Sequence, residues 1–303
     1  PQVAVLHSEH HVRRTVRGPN LMHSVDAAPV KGAVYALLEN HYGVDVLDEW
    51  ALFPRLREFP SIIVPERHAL SDEMVGALKV YVHEGGRLIV TGTQAFDRFG
   101  STFLGATKGR LKENSKYHIP AADGPVPLYS SSWRLVKTRT AIGHGQLGMK
   151  PMLDDKLLSY PAATINKVGK GRVAYVPADL FRDFERNRYP LTRSFVGELV
   201  AEVVGKLPIK VKAPTCIDVA LRRKGEQTMI HLVNRLSGIP NQPENGAIDE
   251  IPPAGPVQIT VAGVKRPKSV SAPLEGADFE WTYAKGKLAV TVANVRIHEV
   301  VVI

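Results

Sequence analysis

A single cysteine, Cys216, stands in a chain of 303 residues. It excludes an internal disulfide framework and any zinc module built on several cysteines. It leaves the compartment open, because a domain of this size needs no disulfide to persist outside a cell. Long apolar runs are also missing: no stretch approaches the roughly 18 residues of a membrane-crossing helix. The first residues, Pro1-Gln2-Val3-Ala4-Val5-Leu6, carry no basic segment and no cleavage site, so no signal peptide is expected. Blocks of like charge are absent too. The net charge is +9, with 28 Lys and Arg against 21 Asp and Glu before residue 212 and 11 against 9 after it. The basic surplus is therefore spread through the first part rather than gathered in a patch, and nucleic acid is not an expected partner. What is present, 44% hydrophobic and 23% charged residues, is the balance of a folded globular chain of about two domains.

Residues 1–211 alternate between strand and helix patterns. Val3–His7 is a short buried-type strand, and a polar loop follows it. Val25 to Tyr42 predicts a helix, with Val30, Val34, Leu37 and Leu38 on one side and Gly43 as its stop. Val44–Leu47 and the continuous apolar Ser61-Ile62-Ile63-Val64-Pro65 predict strands, the second covered on both faces. Ser71-Asp72-Glu73 caps a helix running to about His83; Gly85-Gly86 ends it, and Arg87–Thr91 is the next strand. Residues 93–160 are less regular and predict an insertion of short strands and loops. Ala162–Asn166, Gly169-Lys170-Gly171 and Arg172–Val176 predict a β-hairpin, and Thr192 to Val204 a closing helix. The fold class expected is α/β, a flavodoxin-like three-layer domain with a mainly parallel sheet. From residue 212 to 303 no helix signal remains. Six short alternating strands, from Cys216–Arg223 to Arg296–Ile303, predict a small antiparallel β-sandwich, with Ile239–Pro256 as a long proline-rich loop.

Several of these strings carry a family resemblance. They are Val3–His7, Ile62-Ile63-Val64-Pro65, Leu70-Ser71-Asp72-Glu73, Gly85-Gly86-Arg87-Leu88-Ile89-Val90-Thr91-Gly92 and Gly169-Lys170-Gly171-Arg172-Val173. Residues 1–205 resemble the glutamine-amidotransferase-like trimerisation domain that follows the catalytic barrel in some β-galactosidases. Met229-Ile230-His231-Leu232-Val233-Asn234 looks like the entry strands of the C-terminal β-sandwich of such enzymes. The resemblance implies that the paired catalytic carboxylates belong to an N-terminal barrel, on the same or a separate chain. It implies a non-catalytic region of a glycoside hydrolase that packs against that barrel or forms a homo-oligomer.

The residues can be weighed on their own chemistry as well. Amidotransferase-type catalysis needs a cysteine on a tight strand-to-helix turn with a histidine to activate it; the turn here, Thr91-Gly92-Thr93-Gln94, holds none. His7-Ser8-Glu9-His10-His11 follows the first strand and should lie at the carboxyl edge of the sheet, where ligand crevices of open α/β folds form. It lacks the H-E-x-x-H spacing of a zinc site and reads as a solvated cationic loop. Glu66, Arg67 and His68 should reach the same edge, as should Asp179 and Arg182. Glu66 and Asp179 could then form a carboxylate pair with His7 and Glu9 nearby; the plainer reading makes Asp179 a helix N-cap. Gly143–Gly148 matches G-x-G-x-x-G but has no phosphate-binding helix after it, and reads as a mobile glycine loop. Among the aromatics, Trp50, Trp133 and Trp281 could stack on a sugar. Trp133 in the polar insertion is the expected exposed ring, with His10, His11 and Arg182 as further ligand-binding candidates, and Trp281 is expected in a core.

The expectation is thus an accessory region with no cofactor and no metal, with carbohydrate as a further partner. Two rivals stay open: a stand-alone hydrolase using Glu66, Asp179, His7 and Glu9, and a carbohydrate-binding module.

Overall fold

The structure is a computed structural model, and it describes residues 2–15, 26–67, 69–121, 123–150, 156–236 and 251–303. His68, the start of the helix expected from Val25, and most of the loop expected at Ile239–Pro256 lie outside these residues. Contacts divide the chain into two compact units: residues 2–36 with 45–205, and residues 37–44 with 206–303.

The first unit is built on one nine-stranded sheet. Its strands are β1 (Val3–Leu6), β2 (Val44–Leu47), β3 (Ser61–Val64), β4 (Arg87–Thr91), β6 (Leu111–Ile119), β7 (Val126–Arg134), β9 (Ile142–Gly148), β10 (Leu157–Val168) and β11 (Gly171–Val176). β5 (Ala106–Thr107) and β8 (Lys137–Thr138) pair separately. The order across the sheet is β2-β1-β3-β4-β11-β10-β9-β6-β7. β1, β3, β4 and β11 run parallel, with Val3 opposite Ser61, Ser61 opposite Arg87, and Arg87 opposite Arg172. β1 and β3 are buried at every residue, as their unbroken apolar strings require of strands covered on both faces. The parallel register brings the carboxyl ends of four strands to one edge, and that edge places the residues at issue below.

Helices α1 (Glu9–Thr15), α2 (Ala28–Leu38), α3 (Glu49–Leu52), α4 (Asp72–Glu84), α5 (Ala95–Phe99), α6 (Ser101–Leu104), α7 (Leu180–Asn187) and α8 (Pro190–Val204) complete the unit, with a 3-10 turn at Phe53–Glu58. α4 starts where Ser71 Oγ accepts the Met74 N–H at 3.1 Å. It stops at Gly85, whose φ of 128° suits a residue without Cβ. Its buried face, Met74, Leu78 and Val82, joins Ile62, Leu88 and Val90 of the sheet in one core; each such side chain contributes roughly 1.5–3 kcal/mol.

Three expectations need correction. Residues 9–15 are helical rather than a loop, because Ser8 Oγ accepts the His11 N–H at 3.0 Å and caps the first turn. The stretch 93–160 holds two short helices and strands of up to nine residues before β10, which extend the sheet in antiparallel fashion. Gly143–Gly148 lies in β9 rather than in a mobile loop. Its glycines admit neighbours: at Gly145, φ 66°, a Cβ would meet Ile119 Cδ1 at 2.9 Å.

The second unit has two antiparallel sheets. One is β12 (Ile209–Lys212), β15 (Val257–Ala262), β17 (Lys287–Val292) and β16 (Phe279–Ala284), in that order; the other is β13 (Ile217–Lys224), β14 (Gln227–Asn234) and β18 (His298–Val302). Inward residues of both, among them Val219, Ile230, Leu232, Ile259 and Val290, form one core. Trp281 is partly buried against it. Glu299 is fully buried, and the backbone N–H groups of Leu274, Glu275, Ala277 and Val300 donate to its carboxylate.

Candidate functional site

The carboxyl edge of the parallel strands opens into a polar cavity of about 140 Å³, lined by Glu66, Arg67, Thr91, Thr93, Asp179 and Arg182 among others. Glu66 follows β3 with a left-handed φ of 42°. That turn directs its side chain under Gly92, where a Cβ would stand 3.2 Å from the Glu66 Cα. The carboxylate is fully engaged. Oε1 accepts the Thr91 hydroxyl at 2.7 Å and the Phe181 N–H at 2.9 Å, and Oε2 accepts the Arg182 N–H at 3.2 Å. Thr91 Oγ1 in turn accepts the Glu66 N–H at 3.1 Å. Glu66 thus caps α7 from another part of the chain. Burial pushes its carboxyl up to about 7, against the pull of these donors, with a smaller push from the nearby Asp179 charge.

The expected N-cap, Asp179, makes no side-chain cap hydrogen bond. Its Oδ2 accepts the Ser131 hydroxyl at 2.6 Å, and its N–H donates to Ser130 Oγ at 2.9 Å. The cap role has passed to Glu66, which is buried and whose two oxygens accept the Phe181 and Arg182 N–H groups at the start of α7. Arg67 is buried and donates to the Asp26 carbonyl at 3.3 and 3.4 Å, while its Nε has no partner among the described residues. Burial lowers the Arg67 pKa. Arg182 pairs with the Asp26 carboxylate.

Asp179 and Arg182 also line an adjoining groove of about 350 Å³, with Lys116, Tyr129, Asp183 and Arg186. Burial pushes the Asp183 carboxyl up to about 6. The structure therefore brings Glu66, Asp179 and Arg182 together, as the topology predicts.

It does not bring the first-strand residues to them. Glu9 and His10 line a different concavity. His11 is buried, with Nδ1 accepting the Ala69 N–H at 3.4 Å. His7 is half-buried; burial first, then the Arg67 charge, lowers its pKa. Trp133, the expected exposed ring, is 1% exposed and packs edge-on to Tyr117 at 5.3 Å. Val126, Leu128 and Ser130 are the buried alternate positions of β7, so Trp133 falls on the opposite parity; it is buried where the alternation breaks, at the end of the strand. The exposed indole is Trp50, 77% exposed. Asp48 caps the turn that presents it, accepting the Ala51 N–H at 2.9 Å. That N-cap was the available signal in the sequence.

Chemically, a protonatable carboxyl in a cavity suits acid–base work only if it reaches substrate. The cavity is smaller than the roughly 300 Å³ where small-molecule pockets begin, and both Glu66 oxygens are held by the protein. Among the described residues no group of three or more His, Cys, Asp and Glu side chains could hold a metal ion.

Neither a protein-family model nor a curated protein matches the chain. Solved structures do. The chain is similar to α-L-fucosidase isoenzyme 2 from Paenibacillus thiaminolyticus at 16% identity and a TM-score of 0.76, over 99% of this chain and 48% of that one. It is similar to β-galactosidase from Bacillus circulans sp. alkalophilus at 15% identity and 0.62, over 99% and 41%. It is similar to a GH42 β-galactosidase from G. stearothermophilus at 17% identity and 0.61, over 100% and 40%. The chain spans less than half the length of each. At these identities the fold is what is shared, over less than half of each of these glycoside hydrolases.

Proposed function

We propose that the chain is the non-catalytic accessory and oligomerisation region of a glycoside hydrolase, related to the β-galactosidase trimerisation region, whose α/β unit packs on a catalytic barrel or on neighbouring subunits. The observation that carries this reading is the commitment of Glu66. The carboxyl at the strand ends whose pKa is raised spends both oxygens on Thr91 and the start of α7. The neighbouring turn, Gly92-Thr93-Gln94, offers no thiol. The likeness to glycoside hydrolases over part of their length supports the same reading.

Co-expression tests it. The coding sequence upstream of the Pro1 codon should specify a barrel with two carboxylates, in the same frame or an adjacent one. A tagged barrel should retain this chain through purification, and the pair should cleave aryl galactosides or fucosides. A barrel that is fully active and does not associate would count against the proposal.

The raised pKa of Glu66 favours one rival, a stand-alone hydrolase using Glu66 as general acid with Asp179. That rival predicts turnover by the chain alone, abolished in Glu66→Gln.

A further inference from the structure

A second concavity of the α/β unit shares no lining residue with the strand-end cavity or its adjoining groove. Its volume is about 670 Å³, within the roughly 300–1,000 Å³ typical of small-molecule sites. Trp50 of α3 and Phe53 of the following 3-10 turn supply its aromatic side. Glu9, His10 and Arg13 of α1 and Glu73 of α4 supply its polar side.

The framework is pinned from beneath. Glu49 is buried, and its carboxylate takes the Ser8 hydroxyl and, at 2.7 Å, the Glu9 N–H. These bonds tie the start of α1 to α3. On the other side α3 buries Leu52, which leaves Trp50 facing outward. The side chains of His10 and Glu73 make no hydrogen bond or ion pair among the described residues. Glu9 and Arg13 are paired with each other at 2.6 Å, Arg13 largely exposed and Glu9 partly so.

We infer that this concavity is a saccharide subsite in which the Trp50 indole receives the C–H face of a pyranose and His10, Glu73 and the Glu9–Arg13 pair exchange hydrogen bonds with its hydroxyls. An exposed aromatic face bordered by His10, Glu73 and one ion pair matches a ligand that is apolar on its faces and hydroxylated around its rim. The charge of the lining argues against other classes. Three carboxylates, Glu9, Glu49 and Glu73, oppose a phosphorylated or carboxylated ligand. The core of a protein–protein interface is depleted of such charges. The inference does not depend on the accessory role proposed above, because it concerns binding by this chain and not turnover.

The test titrates the full chain with L-fucose, D-galactose and galactobiose, read by tryptophan fluorescence and saturation-transfer NMR. The expected result is saturable binding of at least one sugar with a Kd on the order of millimolar. Trp50→Ala should weaken it by about tenfold or more, while Trp50→Phe retains most of it. His10→Ala and Glu73→Gln should each weaken binding several-fold. All three positions line the concavity, so melting temperatures should stay at the wild-type value. Absence of saturable binding for all three sugars would overturn the inference. So would undiminished affinity in Trp50→Ala, or self-association in sedimentation that disappears with Trp50.

Discussion

Burial drives Glu66 toward its neutral form while three donors hold it charged, and burial wins: the carboxyl sits at about 7 against an ordinary 4.5. The folded state therefore binds this proton more tightly than the unfolded chain does. Its stabilising contribution is complete below pH 4.5 and is lost as the pH rises through 7. The shift corresponds to on the order of 3 kcal/mol between those limits. Glu66→Gln removes the titration. The amide can still accept from Thr91 and Phe181, but its NH₂ then faces the Arg182 N–H. At pH 5 the variant should be less stable than wild type by about 1–2 kcal/mol, and the gap should narrow or reverse by pH 8. Urea unfolding across this range measures it, and parallel curves for the two proteins would contradict the assignment. Asp183, raised to about 6 by burial, contributes in the same direction to both proteins and leaves the difference intact. The convergence of Glu66, Asp179 and Arg182 was legible in the sequence, because each follows an apolar strand and parallel strands share one edge. The role of Glu66 as a cap was not. It depends on a contact with residues 181 and 182, more than a hundred positions away. Trp133 was misread for a related reason: local polarity predicted exposure, whereas the alternation of β7 breaks before it and the ring is buried.

At the scale of elements, close approach of helices makes its own demands. A Cβ on Gly32, within α2, would lie 1.9 Å from the Phe181 carbonyl oxygen at the start of α7. Backbone cannot yield as a flexible side chain does, so Gly32→Ala should cost about 3 kcal/mol or more. The same change at Gly76 in α4 meets nothing within 4 Å. There the better helix propensity should raise stability by about 0.5–1 kcal/mol. Thermal melts of the two variants should move in opposite directions, and equal shifts would show that the α2–α7 approach is looser than described. Elements with unbroken apolar strings, β1, β3 and β4, were readable from sequence because burial on both faces leaves no alternation to misread. α4 was readable from its cap and its glycine stop. α1 was not: Glu9-His10-His11-Val12-Arg13-Arg14 buries only His11 and has almost no apolar stripe. β9 was hidden by three glycines, which carry no strand signal of their own.

For the whole molecule, a fold shared with part of several glycoside hydrolases carries a strand-end cavity in which Glu66 is hydrogen-bonded to Thr91 and the start of α7. The net charge of +9 is spread along the sequence rather than gathered in one block. The sandwich was legible from alternation alone, except β12, whose four residues Ile209-Lys210-Val211-Lys212 are too few to stand out from a connecting segment. The central claim is that this polypeptide does no chemistry unaided. Its most direct test is steady-state hydrolysis of aryl β-galactoside, aryl α-L-fucoside and glutamine amide by the purified chain, with Glu66→Gln run in parallel. The account predicts rates indistinguishable from buffer for both proteins; turnover by the wild type that vanishes in the variant would contradict it.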